Sequence, residues 1–183
     1  MVVLLIILAI VVVLVLFVIA QYNALVRLRN RIENSWAQID VQLKRRWDLI
    51  PNLVETVKGY AAHEKETLEQ VIAARNAATT AQGPEAQAQS ENLLTGALRQ
   101  LFAVSEAYPD LKANQNFLEL QEELTATEGR IAYARQHYND SVLKYNNKIQ
   151  TFPGVMIAGP LNFTAREYFE ADDDSRGNVS VEF

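Results

Sequence analysis

Cysteine is absent from the 183 residues, which excludes disulfide staples, thiolate nucleophiles and cysteine-bound metals. Histidine is almost absent: His63 and His137 are the two present. Neither follows a glutamate by three residues, so the Glu-x-x-His signature of di-iron bundles is missing. His63-Glu64-Lys65-Glu66 lacks the second histidine of a zinc-protease helix. No glycine-rich loop offers a phosphate cradle, and no serine sits in a nucleophile elbow. Excess positive charge is lacking too. With a net charge of −5 the chain has little to neutralise nucleic-acid phosphates, and no nucleic-acid partner is expected. These gaps predict a non-enzymatic protein without cofactor or metal.

Charge is missing altogether from one stretch. Val2 to Ala20 is an unbroken apolar run with no Gly, Pro or hydroxyl residue. At about 1.5 Å per helical residue it spans roughly 28 Å, close to the hydrocarbon thickness of a bilayer. A cleaved signal peptide, cut before Gln21, is the competing reading. That reading would want a basic n-region and a shorter apolar core, and no Lys or Arg precedes the run. A retained transmembrane anchor over residues 1–20 is therefore expected, with the lipid bilayer as a partner. Arg27, Arg29, Arg31, Lys44, Arg45 and Arg46 follow it, and residues 1–60 carry a net +3 against −8 for the rest. The positive-inside bias then puts the N-terminus outside and the body in the cytoplasm of a bacterial inner membrane.

Glycine and proline are scarce in residues 21–150, and apolar residues recur there at three-and-four spacing. The runs are Leu25, Ile32, Trp36, Ile39 and Leu43; Ile50, Val54, Val57, Ala61, Leu68 and Val71; Leu94, Ala97, Leu101 and Val104; and Phe117, Leu120, Leu124, Ile131, Tyr138, Val142, Tyr145 and Ile149. Each is the stripe of an amphipathic helix. Breaks are expected at Gly83-Pro84 and Tyr108-Pro109-Asp110, with Asn116 and Glu119 as a capping pair for the last helix. A turn near Asp48 would place Pro51 in a first helical turn; the alternative is one kinked helix of about sixty residues. The fold class predicted is all-α: a transmembrane helix, an antiparallel up-and-down four-helix bundle over 21–150, and an irregular tail over 151–183.

Two features invite a functional reading. Glu128, Arg135, Tyr138, Asn139, Tyr145 and Asn146 form a polar face on the last helix, with Tyr-Asn repeated at heptad spacing. Asparagine is a poor interior choice in a helix, so these residues either hydrogen-bond between helices to fix register or present a recognition surface. In the tail, Asp172, Asp173 and Asp174 suggest a calcium loop, but Arg176 and Phe183 occupy positions that need oxygen ligands. The tail is too apolar for simple disorder, and Asn178 to Phe183 alternate like a strand. Phe163, Tyr168, Phe169, Val179, Val181 and Phe183 are expected either to join chains or to fold back on their own bundle.

Several stretches resemble the LemA family. They are Tyr22-Asn23, Leu43-Lys44-Arg45-Arg46-Trp47-Asp48-Leu49-Ile50-Pro51-Asn52-Leu53-Val54, Gly59-Tyr60-Ala61 and Tyr108-Pro109-Asp110-Leu111-Lys112-Ala113. Leu120-Gln121-Glu122-Glu123-Leu124, Thr127-Glu128, Ala134-Arg135, Tyr138-Asn139, Tyr145-Asn146, Phe152-Pro153 and Tyr168-Phe169-Glu170 follow in the same order. The resemblance implies a bacterial single-pass membrane protein with a helical-bundle domain, and it brings no catalytic residues. Two functions are expected from different classes: a scaffold that forms homo-oligomers or organises other membrane proteins, and a ligand- or partner-binding module in envelope signalling or stress response.

Overall fold

A computed structural model of the chain describes residues 1–169, and those residues form six helices and no strand. Helix α1 runs from Val2 to Lys58 without interruption. It is followed by α2 (Lys65–Thr80), α3 (Pro84–Ser105), α4 (Pro109–Lys112), α5 (Gln115–Gln150) and α6 (Gly154–Ala158). The all-α expectation holds, although the count of four does not. The strand-like residues from Asn178 onward and the acidic run at Asp172 lie outside the described residues.

The turn expected near Asp48 is absent, because α1 passes straight through Pro51. Proline has no N–H, so it strands the carbonyl four residues earlier, that of Trp47. That carbonyl is met from outside the helix: Arg75 Nε donates to Trp47 O at 2.8 Å. The lost backbone bond is thus replaced by a charged donor on α2, and the helix continues. It stops instead at Gly59, after which Tyr60 to Glu64 form turns.

The other boundaries have local causes. Gly83 sits at φ 86°, a conformation open to glycine, and Pro84 then takes the first position of α3. Tyr108, before Pro109, is extended at φ −120° and ψ 87°. The cap of α5 is Asn114 rather than Asn116: its Oδ1 accepts the Phe117 N–H at 3.0 Å, and its Nδ2 donates to Tyr60 Oη at 2.9 Å.

The chain divides into two compact units, and both α1 and α5 contribute to each. The first comprises Met1–Ala37 and Gln136–Glu167. Here α1 and α5 run antiparallel: Trp36 and Tyr138 stack edge to face with ring centres 5.4 Å apart, and Ser35 meets Ser141 at 3.3 Å. Leu25, Ile32, Val142, Tyr145 and Ile149 are buried there, as the stripes predicted. Residues 2–20 are exposed along their whole length, so they are no core helix, and one helix long and apolar enough to cross a membrane is present among the described residues. The second unit comprises Gln38–Arg135 with Tyr168 and Phe169. Its core gathers Ile50, Leu53 and Val57 from α1, Leu68 and Val71 from α2, Leu94 and Leu101 from α3, Leu111 from α4, and Phe117 and Leu124 from α5.

The Arg75 contact yields a double-mutant test. Arg75→Ala leaves the Trp47 carbonyl without its donor and is expected to cost about 1–3 kcal/mol in urea unfolding. In a Pro51→Ala background, where residue 51 regains its N–H, the same change should cost markedly less.

Candidate functional site

In the second unit the buried face of α1 carries a charge. Arg46 is 2% exposed and Glu91 3% exposed, and the guanidinium donates to Glu91 Oε2 at 2.9 Å. The other Glu91 oxygen accepts from the Trp47 indole at 2.8 Å and from Gln87 at 3.2 Å. Gln87 also donates to Ala78 O at 3.0 Å, which ties α3 to the end of α2. A second Arg46 nitrogen reaches Thr95 Oγ1 at 2.7 Å and Glu128 Oε2 at 3.0 Å. One side chain of α1 thereby holds α3 and α5. Burial pushes the Glu91 carboxyl above its ordinary value; the Arg46 charge and the donors from Trp47, Arg46 and Gln87 oppose that shift.

A cavity of about 240 Å³ lies beside this centre, lined by Arg46, Thr95, Leu98, Phe102, Leu124 and Glu128, with exposed Arg99 and Thr125 at its rim. Glu128 is the loosely held member, with a side chain 47% exposed, whereas Glu91 is enclosed. Chemically the arrangement is an ion pair flanked by apolar walls. No group of three His, Cys, Asp or Glu side chains able to hold a metal occurs among the described residues.

The expected polar face on α5 is divided between the units. Glu128 pairs with Arg46, and Arg135 lies over the Phe169 ring at 4.6 Å, both within the second unit. In the first unit Tyr138 donates its hydroxyl to Glu167 O at 2.9 Å. Asn146 makes a two-point clamp: Nδ2 donates to Arg166 O, and Oδ1 accepts the Arg166 N–H, both at 2.9 Å. Tyr145 is buried, and Asn139 is half-buried and engaged. Burial raises the Tyr138 and Tyr145 hydroxyls above their ordinary pKa, and the Arg166 charge opposes this in both. The asparagine is thus compensated by the extended C-terminal segment rather than by a neighbouring helix.

That segment is covered by its own chain. Phe163 packs edge to face on Tyr22 with centres 5.8 Å apart, under Arg29 at 5.8 Å, and Phe163 and Phe169 are 8% and 1% exposed. Tyr168 is exposed, while Val179, Val181 and Phe183 lie outside the described residues. Sequence reading placed Arg46 in a basic juxtamembrane cluster, and it missed Glu91, Trp47 and Gln87. The signal was present: Arg46 stands between Leu43 and Ile50 in the phase of the buried stripe, and Gln87 and Glu91 precede Leu94 and Leu98 in the same way.

Comparison with known proteins gives a consistent picture. The family model described as "LemA family" matches residues 35–183. The chain is 29% identical over 167 residues to "Protein LemA" of Metamycoplasma hominis, covering 89% of this chain and 75% of that protein. It is 25% identical over 176 residues to "Magnetosome protein MamQ 2" of Paramagnetospirillum magneticum, covering 82% and 65%. "Magnetosome protein MamQ" of Magnetospirillum gryphiswaldense is 25% identical over 175 residues, covering 81% and 64%. The chain spans just under two thirds of these magnetosome relatives.

Three outcomes follow from this arrangement. Arg46→Met leaves Glu91 buried without its cation and should cost about 3–5 kcal/mol, much of it recovered in Arg46→Met/Glu91→Leu. Because the Glu91 pKa is raised in the fold, its contribution is present below the ordinary carboxylate pKa and is lost as pH rises through the folded value. Wild type should therefore gain stability relative to Glu91→Gln as pH falls through the raised folded value toward the ordinary carboxylate range, followed by denaturant midpoints. Separately, Asn146→Ala should release the Arg166 amide to fast hydrogen exchange, at a cost of about 1–2 kcal/mol for two lost bonds.

Proposed function

Because this chain belongs to the LemA family, we propose that it acts as a non-enzymatic, membrane-anchored scaffold that self-associates or organises membrane-protein partners. The observation that carries this reading is α1. Its apolar residues 2–20 find no cover among the described residues and continue without a break into the helical body. Such a segment buries its apolar surface by crossing a bilayer, and the body then rises directly from the membrane. The charge pattern supports a bacterial inner membrane with the N-terminus outside and the body in the cytoplasm. Arg27 and Arg31 are exposed beyond the span and free of the role that removes Arg46 from this set.

The polar side chains of the body support a structural use over a catalytic one. Arg46, Glu91, Trp47 and Gln87 bind one another, and Asn146 and Tyr138 hold backbone. Relatives named as magnetosome proteins support the membrane-associated part of this reading. The long antiparallel helices serve as the bundle that a scaffold needs. Phe163 and Phe169 are covered by their own chain, so this reading assigns contacts between chains to exposed Tyr168 and to Val179, Val181 and Phe183, which lie outside the described residues. The binding-module alternative rests on the cavity beside Arg46.

Two measurements test the scaffold. Full-length protein in detergent should form a defined oligomer by light scattering, and a chain ended after Phe169 should lose it. A monomer in both cases favours the binding module. Glu85→Cys, in a chain otherwise free of cysteine, should resist an impermeant thiol reagent in intact cells and react after lysis. Labelling of intact cells would invert the topology.

A further inference from the structure

The C-terminal end of α5 carries an apolar surface that the anchor and scaffold readings leave unused. From Thr151 to Ala165 no side chain is charged. Within this stretch Phe152, Met156, Val155 and Leu161 are 78%, 66%, 48% and 44% exposed. In the body other exposed apolar residues stand singly, several of them beside charges: Val41 by Asp40, Leu118 by Glu119, Leu143 by Lys144. Isolated side chains of that sort are ordinary on a soluble surface, whereas a contiguous uncharged patch marks an interaction face.

The backbone holds this patch in one place. A Cβ on Gly154 would lie 1.9 Å from the Lys148 carbonyl oxygen, so α6 can fold against the end of α5 with glycine alone at that position. Asn162 closes the turn after α6 in the left-handed region, at φ 55°, which asparagine tolerates better than most residues. Phe163 N–H then bonds Ala158 O at 2.9 Å, and Phe163 docks on Tyr22. The exposed side chains are therefore displayed by a constrained hairpin.

Its position is set by the antiparallel pairing. Ser35 lies against Ser141, and equal steps along both helices bring Val26 level with Gln150. The chain turns after Gln150 and α6 folds against Lys148, and the Phe163–Tyr22 contact then holds the segment after α6 beside α1, two residues beyond the end of its apolar run. Tyr22 is the aromatic residue expected where a span meets the headgroups, and Arg27, Arg29 and Arg31 occupy the next turns.

We propose that the 151–161 hairpin is a second membrane contact, with Phe152, Val155, Met156 and Leu161 inserted into the headgroup–acyl boundary beside the anchor. The occupant is the lipid surface from which α1 emerges, because Phe163, which closes the hairpin, packs on Tyr22 just beyond the apolar run of that helix. This rests on the reading of residues 2–20 as a bilayer span. Insertion of this kind needs apolar side chains on one face and no charge among them, which is the composition present.

The chain lacks cysteine, so single cysteines can be introduced and labelled one at a time. Full-length Leu8→Cys, Met156→Cys, Phe152→Cys and Tyr133→Cys would each carry a nitroxide in liposomes containing anionic lipid. Collision with oxygen and with a water-soluble nickel chelate would then be compared. Met156 and Phe152 should show an oxygen-to-nickel ratio several-fold above that of exposed Tyr133, approaching that of Leu8. A ratio at Met156 equal to that at Tyr133, with Leu8 in the bilayer, overturns the inference and spares the anchor. Nickel access at Leu8 overturns both. Spin–spin broadening at Met156 that vanishes on dilution with unlabelled chains would assign the patch to a second copy and overturn the membrane contact.

Discussion

The fold depends on α1 staying helical where its sequence works against it. Pro51 removes one backbone bond from the middle of the segment that supplies Leu43, Ile50, Leu53 and Val57 to the core. Arg75 supplies the missing donor to Trp47 O, so the stripe keeps its phase on both sides of the proline. Trp47 is occupied twice, since its indole also donates to Glu91. A bend at Asp48 would separate Arg46 from its partners as well as splitting the stripe.

Arg46 shows what a buried charge does in such a bundle. Against well-packed apolar side chains, an ion pair of this kind adds little net stability. Its effect is on alternatives: if α3 slid by one turn against α1, Glu91 and Arg46 would each be stranded away from water. The neighbouring leucines tolerate slippage far better, because one apolar contact substitutes for another. Apolar burial holds the unit together, and the Arg46–Glu91–Trp47 network selects the register in which it does so.

The sequence was most legible where one physical rule dominates. Apolar periodicity located the buried stripes, since core packing enforces it, and Gly83-Pro84 and Tyr108-Pro109 located breaks through backbone geometry alone. Pro51 was misleading because its cost is met by a side chain 28 residues away in sequence, on a helix that local rules cannot see. Arg46 read as a headgroup-facing cation because charge is ordinarily solvated; its phase with Leu43 and Ile50 was the better guide. The Tyr-Asn pairs invite compensation, and for Tyr138 and Asn146 the partner is backbone at Glu167 and Arg166, which periodicity does not reveal. Asn114, which also reaches Tyr60, caps α5 one residue before its start, where Asn116 lies inside the helix.

The absence of any joint between residues 20 and 25 fixes an angle as well as a distance. A continuous helix transmits rotation, so the azimuth at which residues 2–20 face their surroundings also sets the direction in which Leu25 and Ile32 face α5. Adding one residue between Gln21 and Ala24 would turn the two ends by about 100° relative to each other, while lengthening the helix by about 1.5 Å. Adding four would nearly restore the angle at a cost of roughly one extra turn in height. The spacing between anchor and body is thus specified modulo the helical repeat, and the chain behaves there as a torsionally stiff shaft, without the swivel of a tether.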